Sequence, residues 1–155
     1  MKQRFTLAAS IVALLLSSAV LAEGPHDKAI KARQAIFQLY LYNIGVLSGM
    51  AKGKVEYDAT LATEAATNLQ LASSLGQSTL WPAGSDNGNA DNARTRALPA
   101  IWEKPGIADK GKALSDAVAV LASEAGNGLD SLKASIGDVG GACKGCHDDY
   151  RAKEK

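Results

Sequence analysis

Five consecutive residues near the C-terminal end concentrate the reactive groups of this chain: Cys143, Lys144, Gly145, Cys146 and His147. The chain has 2 cysteines in all, and its 2 histidines are His147 and His26. On a helix, positions i, i+3 and i+4 point to one side. Two thiols and an imidazole so placed can share a single planar target. Each thiol reaches one of two vinyl groups on the rim, and the imidazole reaches a metal at the centre. The spacing C-x-x-C-H is the attachment pattern of c-type haem. It predicts one covalent haem c per chain, attached through Cys143 and Cys146, with His147 as the iron ligand.

Three other chemistries compete for the same residues. A structural zinc ion needs about four ligands, and the fourth would have to be His26, far away in the chain. A thioredoxin-like redox pair belongs in a βαβ setting, which the pattern here lacks. A disulfide across two residues closes a tiny loop and stabilises little. Haem attachment fits best because of what surrounds the motif.

The first part of that setting is an export segment. Lys2 and Arg4 precede an apolar run from Leu7 to Leu16, then small residues, with Val20 and Ala22 suiting signal-peptidase cleavage after Ala22. The run is shorter than the roughly 20 residues that span a bilayer. The expected division is a removed signal peptide, 1–22, and one mature domain, 23–155. The mature protein is then expected in the periplasm with no membrane anchor, and bacterial haem attachment of this kind occurs outside the cytoplasm. Losing Lys2 and Arg4 turns a formal net charge of +1 into −1. A near-neutral chain without a basic tract gives no footprint for nucleic acid.

The elements that must position the motif read as helices. Alanine is abundant and β-branched residues are sparse, which favours helix. Helix A is expected over about 25–50, with Ile30, Arg33, Phe37, Leu41, Ile44 and Leu47 along one face. Helix B is expected over about 59–75, capped by Asp58, with Leu61, Ala65, Leu69 and Ala72 inward. Helix C is expected over about 107–125 around Leu114, Val118 and Leu121. Helix D is expected over about 129–153. Its apolar register runs Leu129, Leu132, Ile136, Val139, Cys143, Cys146, Tyr150, a seven-residue repeat. Both cysteines sit on that stripe, so their cargo should lie inside the bundle. Gly137, Gly140 and Gly141 weaken helix D, and close approach of a cofactor would account for them. The fold class is all-α: an antiparallel four-helix bundle with a long loop, 76–106, between helices B and C. Trp81 and Trp102 suggest that this loop packs on something apolar.

A second iron ligand from the protein would come from Met50 or His26. Both lie on helix A, 13 residues after and 11 before Phe37. At 1.5 Å per residue these offsets are ~20 and ~17 Å along the axis, too far for an iron near the middle of the helix. A five-coordinate iron is expected, with Phe37 on its open side.

The C-terminal C-K-G-C-H-D-D-Y-R (143–151), the Gly-Asp-Val-Gly before it (137–140) and Arg33-Gln34-Ala35 together resemble the cytochromes c′, the class II c-type cytochromes. These are a known example of four-helix bundles. The resemblance covers essentially all of the mature chain. It implies that Phe37 covers the distal face where six-coordinate relatives carry Met, that Arg33 approaches a haem propionate, that Arg151 lies near the proximal face, and that Trp81 borders the pocket. It also implies a homodimer through helices A and B, for which Tyr40, Tyr42 and Val46 are candidate contacts.

The expected function is binding of NO and CO at the vacant iron site, and the resemblance implies a role against nitrosative stress. Without a distal hydrogen-bond donor, stable O₂ binding is disfavoured. The alternative is periplasmic electron transfer to a redox partner that the sequence does not identify. A peroxidase would need distal acid–base groups, and the apolar stripe of helix A supplies none. The chain is therefore read as a binding protein, not an enzyme.

Overall fold

The structure is a computed structural model and describes residues 23–153. The expected export segment lies outside these residues. The helices are α1 (Asp27–Ala51), α2 (Ala59–Ser73), α3 (Ala100–Glu103), α4 (Ile107–Glu124) and α5 (Leu129–Tyr150), with a 3₁₀ turn at Ser78–Leu80. The four long helices form a ring: α1 packs on α2, α2 on α4, α4 on α5, and α5 on α1. Short links at 52–58 and 125–128 make α1/α2 and α4/α5 antiparallel neighbours. Among the described residues no helix is long and apolar enough to cross a membrane.

Local chemistry sets the helix ends. The Asp58 carboxylate accepts from the Leu61 N–H at 2.9 Å and caps α2 as expected. Tyr57 ties the two short links together: its hydroxyl donates to the Ala125 carbonyl at 2.9 Å and accepts from the Gly128 N–H at 3.0 Å. Gly106 precedes α4 with φ 102, a conformation open to glycine. Beside it the Tyr150 hydroxyl donates to the Pro105 carbonyl at 2.8 Å, pinning the start of α4 to the end of α5.

Three expectations about the helices need correction. Helix D stops at Tyr150, not Lys153, because the tail leaves the helix to pair with the loop: Leu98 N–H donates to Tyr150 O and Ala152 N–H to Arg96 O. On α1 the buried face is Ile30, Arg33, Tyr40, Asn43, Leu47 and Met50. Leu41 is 64% exposed, and Tyr40, a candidate dimer contact, is only 5% exposed. Tyr40 can be buried because its hydroxyl donates to Ala72 O at 3.3 Å, and Asn43 because its amide donates to Leu39 O at 2.8 Å. On α2 the inward face begins at Ala62, with Leu61 outward.

The interior has two parts. The bundle core is aliphatic and small: Leu47, Ala62, Ala66, Leu69, Leu121 and Leu132 are among its fully buried members. A second cluster, Ala97, Ile101 and Tyr150, sits under the 76–106 loop with Trp81, Trp102 and Ile107 against it. Cys143 packs on the first cluster and Cys146 on the second. The two thiols stand at the seam.

Candidate haem site

Because α5 continues without a break to Tyr150, Cys143, Cys146 and His147 keep the helical spacing the motif requires. Both cysteines are free thiols and half-buried, and burial raises the pKa of each. His147 is more open to solvent. Its pKa is lowered, first by burial and then by the charges of Arg151 and Arg96. The neutral imidazole that ligates metal is therefore favoured near neutral pH.

Arg151 stands where its spacing placed it, with Nη1 3.5 Å from His147 Nδ1, although its own backbone has left the helix. Lys144 pairs with Asp148, and Lys110 with Asp149 at 3.0 Å, so the carboxylates next to His147 are turned to lysines. Among the described residues no three His, Cys, Asp or Glu side chains gather to hold a bare ion.

The glycines of α5 are not explained by protein packing. A Cβ at Gly137, Gly140 or Gly141 would meet nothing within 4 Å. No close neighbour therefore explains them. Gly140 falls two turns before His147, on the same side of the helix. That side is clear, as a flat group lying against α5 beside the imidazole would require. Two free thiols on one face, a neutral imidazole next to them and a clear helix surface fit a covalently held haem.

Opposite α5, the expected residues Arg33, Phe37 and Trp81 do come together. Phe37 sits at the rim, 39% exposed. It meets Tyr40 edge-on at a centroid distance of 5.6 Å and Trp81 at 6.3 Å. Arg33 is 2% exposed, and its guanidinium lies 4.3 Å from the centroid of the Trp81 ring.

The partner of Arg33 is the finding that pattern analysis missed. Nη1 donates to Leu80 O at 3.2 Å and Ser85 Oγ at 2.6 Å, and Nη2 donates to Thr95 Oγ1 at 3.1 Å and to Ser85 O. The loop therefore satisfies the buried charge that had been assigned to a propionate alone, and Nε–H is the donor that these four bonds leave over. Ser85 and Thr95 gave no sequence signal, since they lie in a polar loop 52 and 62 residues away. Trp102 anchors the same loop through its indole N–H, which donates to Trp81 O at 3.1 Å.

The two potential second ligands stand toward opposite ends of α1. Met50 is buried at the far end of α1, its sulfur 3.4 Å from the Asp58 N–H. His26 precedes the first turn of α1, with Gly84 beside it.

A family model described as Cytochrome C′ matches residues 28–151. The chain belongs to the cytochrome c′ family. Its cofactor is haem c. Among curated relatives, a cytochrome c′ of Cereibacter sphaeroides is 39% identical over 152 residues, covering 97% of this chain and 99% of the relative. A solved cytochrome c′ from Rhodobacter Spheriodes superposes with a TM-score of 0.78 at 39% identity, covering 82% of this chain and 97% of that one. The cytochrome c′ from Alcaligenes xylosoxidans superposes at 0.68 in two variants, at 30% and 32% identity, covering 81% of this chain and 94% of each. Those two variants carry bound NO and carbon monoxide respectively.

Proposed function

We propose that this cytochrome c′ is a periplasmic gas-binding protein, not an enzyme, which takes up NO and CO and protects against nitrosative stress. Haem would supply an iron able to bind a diatomic molecule. Cys143 and Cys146 would hold the group through thioether bonds. His147 would ligate its iron. The cation of Arg151 beside its ring lowers the imidazole's basicity. Phe37, Tyr40 and Trp81 wall the other side.

One observation carries this reading. Met50 is committed to the Asp58 N–H, His26 stands at the N-terminal end of α1, about three turns before Phe37, and the side chain between them at the rim is the apolar ring of Phe37. The polar groups of the two rings beside it are also engaged. The Tyr40 hydroxyl donates to Ala72 O, and the Trp81 indole N–H donates to Gln77 Oε1. Neither ring therefore offers a bound O₂ a free donor, and the Nη donors of Arg33 are taken by the loop, which leaves its Nε–H as the remaining one. The bound NO and CO of the Alcaligenes xylosoxidans variants support the same chemistry here.

Export through removal of residues 1–22 belongs to this reading, as does a homodimer through α1 and α2. An apolar groove between those helices is lined by Leu39, Tyr42, Leu71 and Leu75, all exposed. Tyr42 replaces Tyr40 as the aromatic available for that contact, and Val46 is partly buried against the core. The test is an absorption spectrum of the purified ferrous protein with and without CO. A high-spin band that shifts strongly on adding CO is expected. A spectrum indifferent to CO contradicts the reading.

A further inference from the structure

We propose that Gln77 is a positioning residue for the outer wall of the haem pocket and sets the rate at which a diatomic ligand passes Phe37. The inference rests on the gas-binding reading and adds the residue that controls access. The Gln77 amide is half-buried, just before the 3₁₀ turn. Its Nε2–H donates to the Tyr40 hydroxyl oxygen at 3.0 Å, and its Oε1 accepts from the Trp81 indole N–H at 3.4 Å. Those two aromatic rings are the ones that grip Phe37 edge-on.

The bonds continue outward on both sides. Tyr40 donates to Ala72 O in the last turn of α2, and Trp102 donates to Trp81 O. One relay thus runs from α2 through α1 and the loop to α3, with the Gln77 amide at its centre. An amide is suited to that place because it donates and accepts at once. A carboxylate could keep the acceptor for Trp81 but offers no donor to Tyr40. A leucine of similar size offers neither. Phe37 has a rotatable ring at a half-open rim, so its freedom is set by how firmly Tyr40 and Trp81 are held.

The experiment uses the haem-loaded protein and two readouts. Flash photolysis gives the CO association rate. Ultraviolet resonance Raman reports indole hydrogen bonding for the two tryptophans, with Trp102 as the internal reference. Gln77→Leu is expected to raise the CO association rate by a factor of about three to ten and to release one indole N–H of the two. Gln77→Glu is expected to keep both indole signals and to give an intermediate rate. An unchanged rate in Gln77→Leu overturns the proposal, as does a changed rate in that variant with both of its indole signals intact. If the wild-type protein takes no CO, the gas-binding reading falls by itself, while the Raman comparison still shows whether Gln77 holds Trp81.

Discussion

The two parts of the interior are held by different forces. The bundle core, around Leu47, Ala66, Leu121 and Leu132, is a packing of aliphatic side chains from four helices. The 76–106 side has few buried apolar residues and depends on polar bonds that converge on Arg33, reinforced by Asn92 donating to Gly84 O at 2.7 Å and Gln34 donating to Arg94 O at 2.8 Å. The first part is spread over many contacts, so no single one dominates. The second is concentrated, and one side chain governs it. The haem motif lies between them, with Cys143 on one side and Cys146 on the other. A rigid scaffold thus fixes the attachment helix, while the loop side rests on a few polar anchors.

Substitutions on each side sharpen that contrast. Arg33→Met should have the largest effect, about 4 kcal/mol, because it strands three buried or partly buried acceptors, Leu80 O, Ser85 Oγ and Ser85 O, and leaves Thr95 Oγ1 with the Ala97 N–H alone. Its signature is rapid proteolysis within 76–106 while the helical circular dichroism stays near wild type. Loss of the whole helical signal would mean that the two regions fold as one. Leu121→Ala, in the aliphatic core, should cost about 3 kcal/mol by leaving a cavity. It should lower the midpoint of denaturant unfolding without selective cleavage of the loop. Tyr57→Phe is expected to cost only about 1 kcal/mol, although two links lose a shared anchor. Here the apolar core continues to hold the helix ends together, and a small drop in thermal midpoint checks it.

The same contrast explains what could be read from sequence. Helix existence and the inward register of the cysteines follow from local periodicity, and Asp58 capped α2 for a reason visible in three neighbouring residues. The face of α1 was harder. Tyr40 and Asn43 look polar or amphipathic, yet both go inside because each finds a carbonyl, Ala72 O and Leu39 O. Leu41 looks like core and points outward. On α2 the inward residues are mostly alanines, whose small side chains give little contrast between faces. The loop was least legible, since its order comes from bonds between residues some 50 or 60 positions apart. For the same reason Arg33 could be recognised as needing a partner, but its partners could not be named. The convergence of Phe37, Trp81 and Arg33 was anticipated only by likeness to the cytochromes c′.

Electron paramagnetic resonance of the ferric protein tests the coordination most directly. A signal from high-spin iron, unaltered in Met50→Leu and His26→Gln, is the predicted result. A low-spin signal in the wild type, abolished by either substitution, would show a protein side chain opposite His147 and contradict the account.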